Sequence, residues 1–258
     1  MKPLAKVFPP SNNFIIRISS MDNYLHNRTQ SVVLNGIKSD SIGISAGVPQ
    51  GSILGPLLFT IYTSYFCKCL KHVTVHQYAD DTQLYLDFFP KDIVQATQRF
   101  NEDIKSLVGI SEAHGLSINA TKSSLILFGR KIVRDEYKSL IRIKVKDSIL
   151  PVKDDLKYLG VVLDNALRFK TQTSEMTKKA YLSLKLIFNN RHLLNRATKI
   201  ILCEALVLSQ YNYCDSVYGP CLDVSDRTKI QKMQNSCVRL IYGIRKHEHI
   251  SHKFNELN

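Results

Sequence analysis

The order of hydrophobic and polar residues predicts helices at several places along the chain. Residues 92–114 give the clearest amphipathic helix, because their apolar side chains recur at every third or fourth position and so form one face. This face comprises Ile93, Ala96, Phe100, Ile104, Leu107 and Ile110. A more continuously apolar stretch predicts a helix from about Leu57 to Leu70, and helical spacing returns at about 174–190, 196–209 and 223–243.

Alternating and β-branched runs predict strands, all of them before residue 170. Residues 31–37 are typical of a strand that enters an Asn35-Gly36 turn, with residues 41–45 as its returning partner. Residues 73–88 predict a hairpin with Ala79-Asp80-Asp81 at its tip. Further strands are predicted at 116–128, as a pair around 119–122, at 141–145 and at 156–163.

These elements together predict an α+β protein, in which a mixed segment precedes an all-helical one. We place the boundary near residue 170. Residues 1–13 are expected to form an irregular leader, because three prolines interrupt them. The 258 residues, 44% of them hydrophobic, suffice for a globular protein with a sizeable core.

Two absences in the sequence bear on where the protein is found. No apolar run reaches the roughly 18 residues that a membrane-spanning helix needs. The first residues also lack the apolar core of a signal peptide. We therefore expect an intracellular protein, in the nucleus or the cytoplasm, that is neither secreted nor bound to a membrane.

The charge is strongly positive and unevenly distributed. The formal net charge is +13. Residues 1–90 carry 7 basic and 5 acidic groups, whereas residues 91–170 carry 15 and 10, and residues 171–258 carry 13 and 7. This excess in the later two thirds suits a surface that lies against a polyanion such as nucleic acid, although a merely solvated basic surface has the same composition.

The cysteines show no regular framework. They lie at positions 67, 69, 203, 214, 221 and 237 and include no Cys-x-x-Cys pair, so free thiols in a reducing compartment are the simpler interpretation. A zinc site is the alternative, although its spacing matches no common ligand pattern. Its ligands would be Cys237, His247, His249 and His252.

The adjacent aspartates Asp80 and Asp81 are the first candidates for chemistry. Two carboxylates this close raise each other's pKa, and a divalent cation is the usual remedy. Mg²⁺ prefers oxygen ligands and commonly takes one or two carboxylates together with substrate phosphates. The alternative is an ordinary turn, where aspartate is also common.

A glycine-rich segment precedes the aspartates. Gly47, Gly51 and Gly55 bracket Pro49 and Gln50 just before the predicted helix, which would let the backbone approach a flat or phosphorylated ligand. Taken alone it could be an ordinary loop before a helix. The combination of this segment with Tyr-Ala-Asp-Asp is more specific than either part.

With these motifs the sequence resembles the reverse transcriptases of non-LTR, LINE-type retrotransposons. Gly47 to Phe59 matches that family's motif B, and Tyr78 to Asp81 matches its metal-binding motif C. Three shorter likenesses support the comparison: Tyr24 to Gln30 with the segment before motif B, Gly115 to Lys122 with motif D, and Tyr158 to Val161 with motif E. Residues 211–218 and 230–234 resemble the thumb region, so the likeness covers roughly residues 14–258.

The resemblance implies a right-hand polymerase fold. Residues 14–170 would form a partial palm, an antiparallel sheet with helices, and residues 171–258 a helical thumb. It implies RNA-templated DNA synthesis by two-Mg²⁺ phosphoryl transfer, with an RNA template, a DNA primer and deoxynucleoside triphosphates as partners. It says nothing about the oligomeric state.

The resemblance also implies residue roles. Asp80 would be the motif C metal ligand, and Asp81 a weaker ligand or a support for the hairpin. Pro49, Gln50 and Gly51 would shape the pocket around the incoming nucleotide, and Tyr78 would lie near the primer terminus or serve as a plain strand aromatic. Lys122 would donate a proton to pyrophosphate, or would be a solvated lysine.

One part of the family pattern is missing. Motif A, which supplies the other metal-ligating aspartate, should precede Gly47, yet the only acidic residues there are Asp22 and Asp40, and neither matches. The family's fingers domain is missing as well. We therefore expect a truncated reading frame with little activity of its own. The alternatives are a silent remnant that still binds nucleic acid and a relic that folds poorly.

Overall fold

The computed structural model describes residues 24–254, which form two compact units. The first unit contains the described residues up to Ile118 together with Ile143–Ser148, and the second contains Asn119–Arg142 and the residues from Ile149 onward. Helices and short strands occur in both, so the α+β prediction is confirmed at this level. The predicted leader lies outside the described residues. The predicted boundary near residue 170 lies inside the second unit, and the division into palm and thumb stays a prediction.

Four short strands lie in the first described part of the first unit: β1 (Arg28–Gln30), β2 (Val33–Leu34), β3 (Ile37–Lys38) and β4 (Ile42–Ile44). The predicted Asn35-Gly36 turn joins β2 and β3, with positive φ at both residues (51° and 79°), as a tight hairpin turn requires. The predicted partner of β4 was wrong: Ile42–Ile44 pairs with Arg28–Gln30. The tight turn pairs β2 with β3 over two residues only. Strand β4, which follows β3, therefore pairs with β1, the strand before β2.

The apolar helix of the first unit is α1, Leu54–Thr63, which starts and ends earlier than predicted. A short 3₁₀ turn, Phe66–Cys69, follows it. Side-chain hydroxyls explain the early end. Thr60 and Thr63 donate to the carbonyls four residues before them, and Ser64 donates to Ile61, which competes with regular helical hydrogen bonding.

The central elements of the first unit are a hairpin and a long helix. Strands β5 (Thr74–Tyr78) and β6 (Asp81–Tyr85) pair antiparallel, and a 3₁₀ turn at Pro90–Asp92 leads into α2, Ile93–Ala113. Both the hairpin and the amphipathic helix are confirmed. Ile93, Ala96, Ile104 and Leu107 of the predicted apolar face are buried.

The second unit begins where the sequence predicted a strand pair, and that prediction was wrong. Residues Ala120–Lys122 form a 3₁₀ turn, because the Asn119 side-chain oxygen accepts hydrogen bonds from the backbone of Thr121 and Lys122. The following strand, β7 (Leu125–Ile126), pairs in parallel with a later one, β10 (Val152–Lys153). The short helix α3, Lys131–Tyr137, lies between them in sequence, as do β8 (Lys144–Val145) and β9 (Ser148–Ile149).

Residues 141–145 show the predicted alternation, with Ile141, Ile143 and Val145 buried. The predicted strand at 156–163 is a hairpin of β11 (Asp155–Tyr158) and β12 (Val161–Asp164). Its two-residue turn, Leu159-Gly160, has positive φ at both positions (45° and 86°). The motif E likeness therefore coincides with a tight turn.

The rest of the second unit is helical, as predicted. Its elements are α4 (Lys170–Asn189), α5 (Arg196–Leu202), a π-helical segment (Cys203–Leu208), α6 (Ser209–Asn212), α7 (Asp215–Tyr218), a 3₁₀ turn (Gly219–Cys221), α8 (Val224–Tyr242) and α9 (Ser251–Phe254). Their apolar faces meet in one core, where Ala180, Val207 and Tyr218 are almost fully buried. None of the helices formed by residues 24–254 is long and apolar enough to cross a membrane.

Candidate active site

The β5–β6 hairpin presents the two candidate metal ligands at its tip. Tyr78 and Asp81 are the last pair of the ladder, so Ala79 and Asp80 alone form the turn. Ala79 has a φ of 54°, a left-handed conformation that is uncommon for a residue with a side chain. Such strain is concentrated at functional sites. The short, strained turn thus exposes Asp80 to solvent, and Asp81 follows it as an exposed first residue of β6.

The charge of these carboxylates is not neutralised locally. Among residues 24–254, no side chain forms an ion pair with Asp80 or Asp81, and neither carboxylate accepts a hydrogen bond. Two unpaired carboxylates of consecutive residues at a hairpin tip fit the oxygen ligands that Mg²⁺ prefers. No third His, Cys, Asp or Glu completes a metal-binding cluster within the described part of the chain. The residues therefore suit partial coordination of a metal ion and do not form a closed cage.

Other polar groups share a face of the hairpin with Asp81. Because side chains alternate along a strand, His76 and Tyr78 point to the same side as their partners on β6. The His76 ring stacks on Tyr85 with centroids 5.3 Å apart, and its Nε2 lies 3.0 Å from the Tyr85 hydroxyl. Tyr78 is 66% exposed. The hairpin tip thus exposes the Tyr78 ring on the same face as Asp81. The stacked rings of His76 and Tyr85 lie further from the tip on that face.

A buried carboxylate of α2 anchors the chain that enters the hairpin. Asp103 is 2% exposed and accepts hydrogen bonds from three consecutive backbone N–H groups, those of Lys71, His72 and Val73, at 2.7–3.1 Å. Burial alone would raise the pKa of Asp103, but these N–H groups and the nearby His72 outweigh it and hold the pKa below its usual range. Sequence reasoning missed this residue. The sequence feature that could have identified Asp103 is an acidic residue at a position on the apolar face of the predicted helix.

The loop with Pro49, Gln50 and Gly51 lies in the same unit, just before α1. Gly47 and Gly51 have positive φ (82° and 80°), and the turn is closed by a hydrogen bond from the Ser52 N–H to the Pro49 carbonyl. Pro49 to Gly51 are exposed. The Arg28 guanidinium donates to the Gly47 carbonyl at 2.6 Å and fixes the start of the loop. The loop backbone is therefore exposed, and its approach to a ligand stays a prediction.

Gly55 shows why this loop needs a glycine where it meets α1. A side-chain carbon placed there would lie 2.8 Å from Ser52 Oγ and 3.3 Å from a Val48 methyl group. The same Ser52 oxygen accepts a hydrogen bond from the Gly55 N–H at 3.1 Å. Close packing at Gly55 thus holds the loop against the helix start.

Lys122 belongs to the second unit. It ends the 3₁₀ turn that Asn119 caps, and its side chain is exposed, with no ion pair to another described residue. Asp80, Asp81 and Tyr78 thus share one hairpin, Pro49, Gln50 and Gly51 share one loop, and Lys122 is on a separate element. The role of each residue stays a prediction.

The zinc alternative is wrong for the residues proposed. Cys237 is buried in the helical core, where it is hydrogen-bonded to Cys203, and this contact and burial raise its pKa. Across residues 24–254, the histidines near the end of the chain do not join Cys237 in a group that could hold a metal. All six cysteines are free thiols.

Comparison with known proteins decides the family. Residues 3–163 match the reverse transcriptases (RNA-dependent DNA polymerases). The chain belongs to this family. The match includes the glycine-rich loop, the hairpin with Asp80 and Asp81, and Lys122.

Individual relatives are polymerases of mobile elements. The chain is 27% identical over 250 residues to the RNA-directed DNA polymerase from mobile element jockey of Drosophila melanogaster. The aligned region covers 92% of the chain and 26% of that protein. It is 29% identical over 236 residues to the jockey polymerase of Drosophila funebris, covering 86% of the chain and 24% of that protein. Over 235 residues it is 25% identical to the probable RNA-directed DNA polymerase from transposon X-element of Drosophila melanogaster. This alignment covers 86% of the chain and 24% of that protein. The resemblance to non-LTR retrotransposon reverse transcriptases is confirmed. The chain spans about a quarter of the length of these curated relatives.

Proposed function

We propose that this chain supplies the motif C metal site and the nucleotide-binding loop of an RNA-directed DNA polymerase of a non-LTR retrotransposon. The observation that carries the proposal is the strained two-residue turn, which exposes Asp80 and Asp81 without an ion-pair partner among the described residues. The family match and the jockey relatives support an RNA template, a DNA primer and deoxynucleoside triphosphates as substrates. The protein would act inside the cell, in the nucleus or the cytoplasm.

The metal chemistry of the proposal is that of two-ion phosphoryl transfer. When bound, Mg²⁺ would activate the primer 3′-hydroxyl and stabilise the pyrophosphate leaving group. Asp80, in the turn itself, would be the main ligand. Asp81 is the first residue of β6, so it would act as a weaker ligand or as a support for the turn.

The remaining residues would position the substrates. The exposed backbone at Pro49, Gln50 and Gly51 would line the pocket for the incoming nucleotide, since its positive-φ glycines allow close approach. Tyr78 would offer its exposed ring to the primer terminus. Lys122 would donate a proton to pyrophosphate.

The ligand set is incomplete within the described residues. Two-metal sites place ligands on both sides of the ions. No third ligand joins Asp80 and Asp81 among residues 24–254. We therefore expect polymerisation by this chain alone to be weak or absent unless another polypeptide segment supplies a motif A carboxylate.

Primer extension on an RNA template tests the proposal. The full chain is assayed in Mg²⁺ and in Mn²⁺, beside Asp80→Asn and the control Asp87→Asn, an exposed acidic residue beyond the end of β6. Any incorporation should disappear in Asp80→Asn and persist in Asp87→Asn. Incorporation that survives Asp80→Asn would overturn the assignment.

A catalytically silent nucleic-acid-binding protein is the second candidate. Its support is the net charge of +13, which is concentrated after residue 90. This candidate predicts binding that weakens steeply with salt, with no incorporation under any metal condition. Binding that does not respond to salt would exclude it. The buried core of the second unit argues against the third candidate, a relic that folds poorly.

A further inference from the structure

The second unit contains a groove that the proposed polymerase site does not use. It lies between α4 and the end of α8 and has a volume of about 400 Å³. Four cations line it, Lys185, Arg191, Arg239 and Lys246, and the lining contains no carboxylate. Grooves of this size hold small ligands or a short segment of a larger one. A groove with this charge selects an anionic ligand.

Exposed aromatic rings accompany these cations on α4. Tyr181 and Phe188 lie seven residues apart, two helical turns, on the side that faces the groove, and Lys185 lies between them. The two rings are 59% and 49% exposed. Rings this exposed contribute little to the core, but they offer flat faces to a ligand.

Arg191 and Arg239 of the groove lining are held by hydrogen bonds to nearby backbone carbonyls. The Arg191 guanidinium lies 4.0 Å over the Phe188 ring and donates to the Phe188 carbonyl, so it covers one face of that ring and leaves the other face for a ligand. Arg239 donates to the carbonyls of Arg245 and Glu248 at 2.6 and 2.9 Å. It thereby fixes the segment after Gly243 that carries Lys246 to the groove.

Lys185 and Lys246 are the cations left for a ligand. Both are exposed, and neither forms an ion pair or a side-chain hydrogen bond with another residue between 24 and 254. Positively charged grooves with exposed aromatic rings are the usual architecture for single-stranded nucleic acid, whose bases stack on rings while cations hold the phosphates. A base-paired duplex keeps its base faces stacked inside the helix and could not use the two rings.

We propose that this groove binds a single-stranded segment of nucleic acid, with bases on Tyr181 and Phe188 and phosphates on Lys185 and Lys246. The site would hold a strand outside the polymerase centre, whether RNA or DNA. It goes beyond the proposed function, because it does not depend on the metal-binding aspartates.

Fluorescence anisotropy with labelled oligo-uridine RNA, oligo-thymidine DNA and a duplex of equal length tests the proposal. The full chain should bind both single strands, and the ratio between the two affinities identifies the preferred one; duplex binding, which the polymerase site can also supply, should not depend on the groove. Phe188→Ala should weaken single-strand binding at least about fivefold, the effect of losing one stacked base. Leu186→Ala, on the same helix and 66% exposed but outside the groove, is its control.

The charge contribution is tested with a matched pair of double variants. Lys185→Glu with Lys246→Glu should lower the slope of log affinity against log salt by about 1.4, since each single-strand phosphate contact contributes about 0.7. Lys179→Glu with Lys232→Glu makes the same charge change at exposed positions of α4 and α8, outside the groove lining, and should lower the slope less.

Three results would overturn the proposal: equal loss of single-strand binding in both double variants, unchanged single-strand binding in Phe188→Ala, or an equal loss of single-strand and duplex binding in Phe188→Ala. Far-UV circular dichroism of each variant identifies any that fail to fold. Mn²⁺ binding, which reports Asp80 and Asp81 in the first unit, should be unchanged in the groove variants. Failure of the groove and failure of the metal site are therefore distinguishable.

Discussion

The Asp103 carboxylate oxygen Oδ2 lies 2.7 Å from the backbone nitrogen of His72, thirty-one residues earlier in the chain. The same carboxylate accepts from Lys71 and Val73, so one buried side chain satisfies three successive N–H groups. Strand β5 begins at Thr74, immediately after these three residues. The contact therefore joins α2 to the strand that leads to Asp80, and it sets where the hairpin starts.

Replacing Asp103 should destabilise the first unit. Asp103→Ala leaves three N–H groups without their acceptor and should lower the free energy of unfolding by roughly 3 kcal/mol. Glu102→Ala is the control, because Glu102 is exposed and its contact with His72 at 3.6 Å is a surface pair worth about 1 kcal/mol or less. Urea unfolding followed by far-UV circular dichroism measures both. Equal stability of the two variants would show that the hydrogen bonds of Asp103 do not anchor the hairpin.

Acid should weaken the second unit through the network at the start of α8. Lys170 contacts both Asp223 and Asp226, and Lys229 lies 2.8 Å from the other oxygen of Asp226. The hydrogen bond from Lys170 lowers the pKa of Asp223 to about 2. Burial would raise the pKa of Asp226, but Lys170 and Lys229 outweigh it and lower that pKa.

Because both pKa values are depressed in the folded state, the stabilisation is complete above the ordinary value of 3.8 and is lost as the pH falls from there towards 2. The midpoint of urea unfolding should therefore fall across this range. Asp223→Asn should be less stable at pH 7 and lose less on acidification. A pH profile parallel to that of the unchanged chain would contradict the role of the network.

Gly160 should tolerate no side chain. It has a φ of 86°, and an added side-chain carbon would lie 2.9 Å from the Tyr213 ring, whose hydroxyl donates to the neighbouring Leu159 carbonyl at 2.6 Å. Gly160→Ala therefore combines backbone strain with a clash against a fixed ring and should cost about 2 kcal/mol or more.

Gly109→Ala is a control that should change the free energy of unfolding in the opposite direction. Gly109 lies inside α2, where an added side-chain carbon meets nothing within 4 Å, so alanine should raise the free energy of unfolding by up to about 1 kcal/mol. Thermal or urea unfolding measures both variants. A Gly160→Ala protein as stable as Gly109→Ala would show that the turn does not need its conformation.

Local patterns predicted the elements that depend on neighbouring residues. The turn at Asn35-Gly36, the hairpin at 73–88 and the helix at 92–114 follow from turn chemistry and periodicity within a few residues. The position of Asp80 and Asp81 at a hairpin tip was predictable for the same reason. Their exposure and freedom from ion pairs required the structure.

Elements that depend on distant partners were not predictable. Leu125–Ile126 pairs with a strand more than twenty residues later. The turn at Ala120–Lys122 is a different case, because it depends on a local cap by Asn119 that competes with strand formation. The role of Asp103 was missed, because its three N–H partners lie about thirty residues earlier in the chain. The relation of Lys122 to the aspartates is likewise non-local, because it lies in the other unit.

Mn²⁺ binding, followed by electron paramagnetic resonance of the free ion, tests the metal site most directly. The unchanged chain and Asp87→Asn should bind Mn²⁺ with the same affinity. The double variant Asp80→Asn with Asp81→Asn should bind it about tenfold more weakly or worse, because loss of supporting groups alone costs a metal site that much. Equal Mn²⁺ affinity in all three proteins would contradict the assignment of the hairpin tip as the metal site.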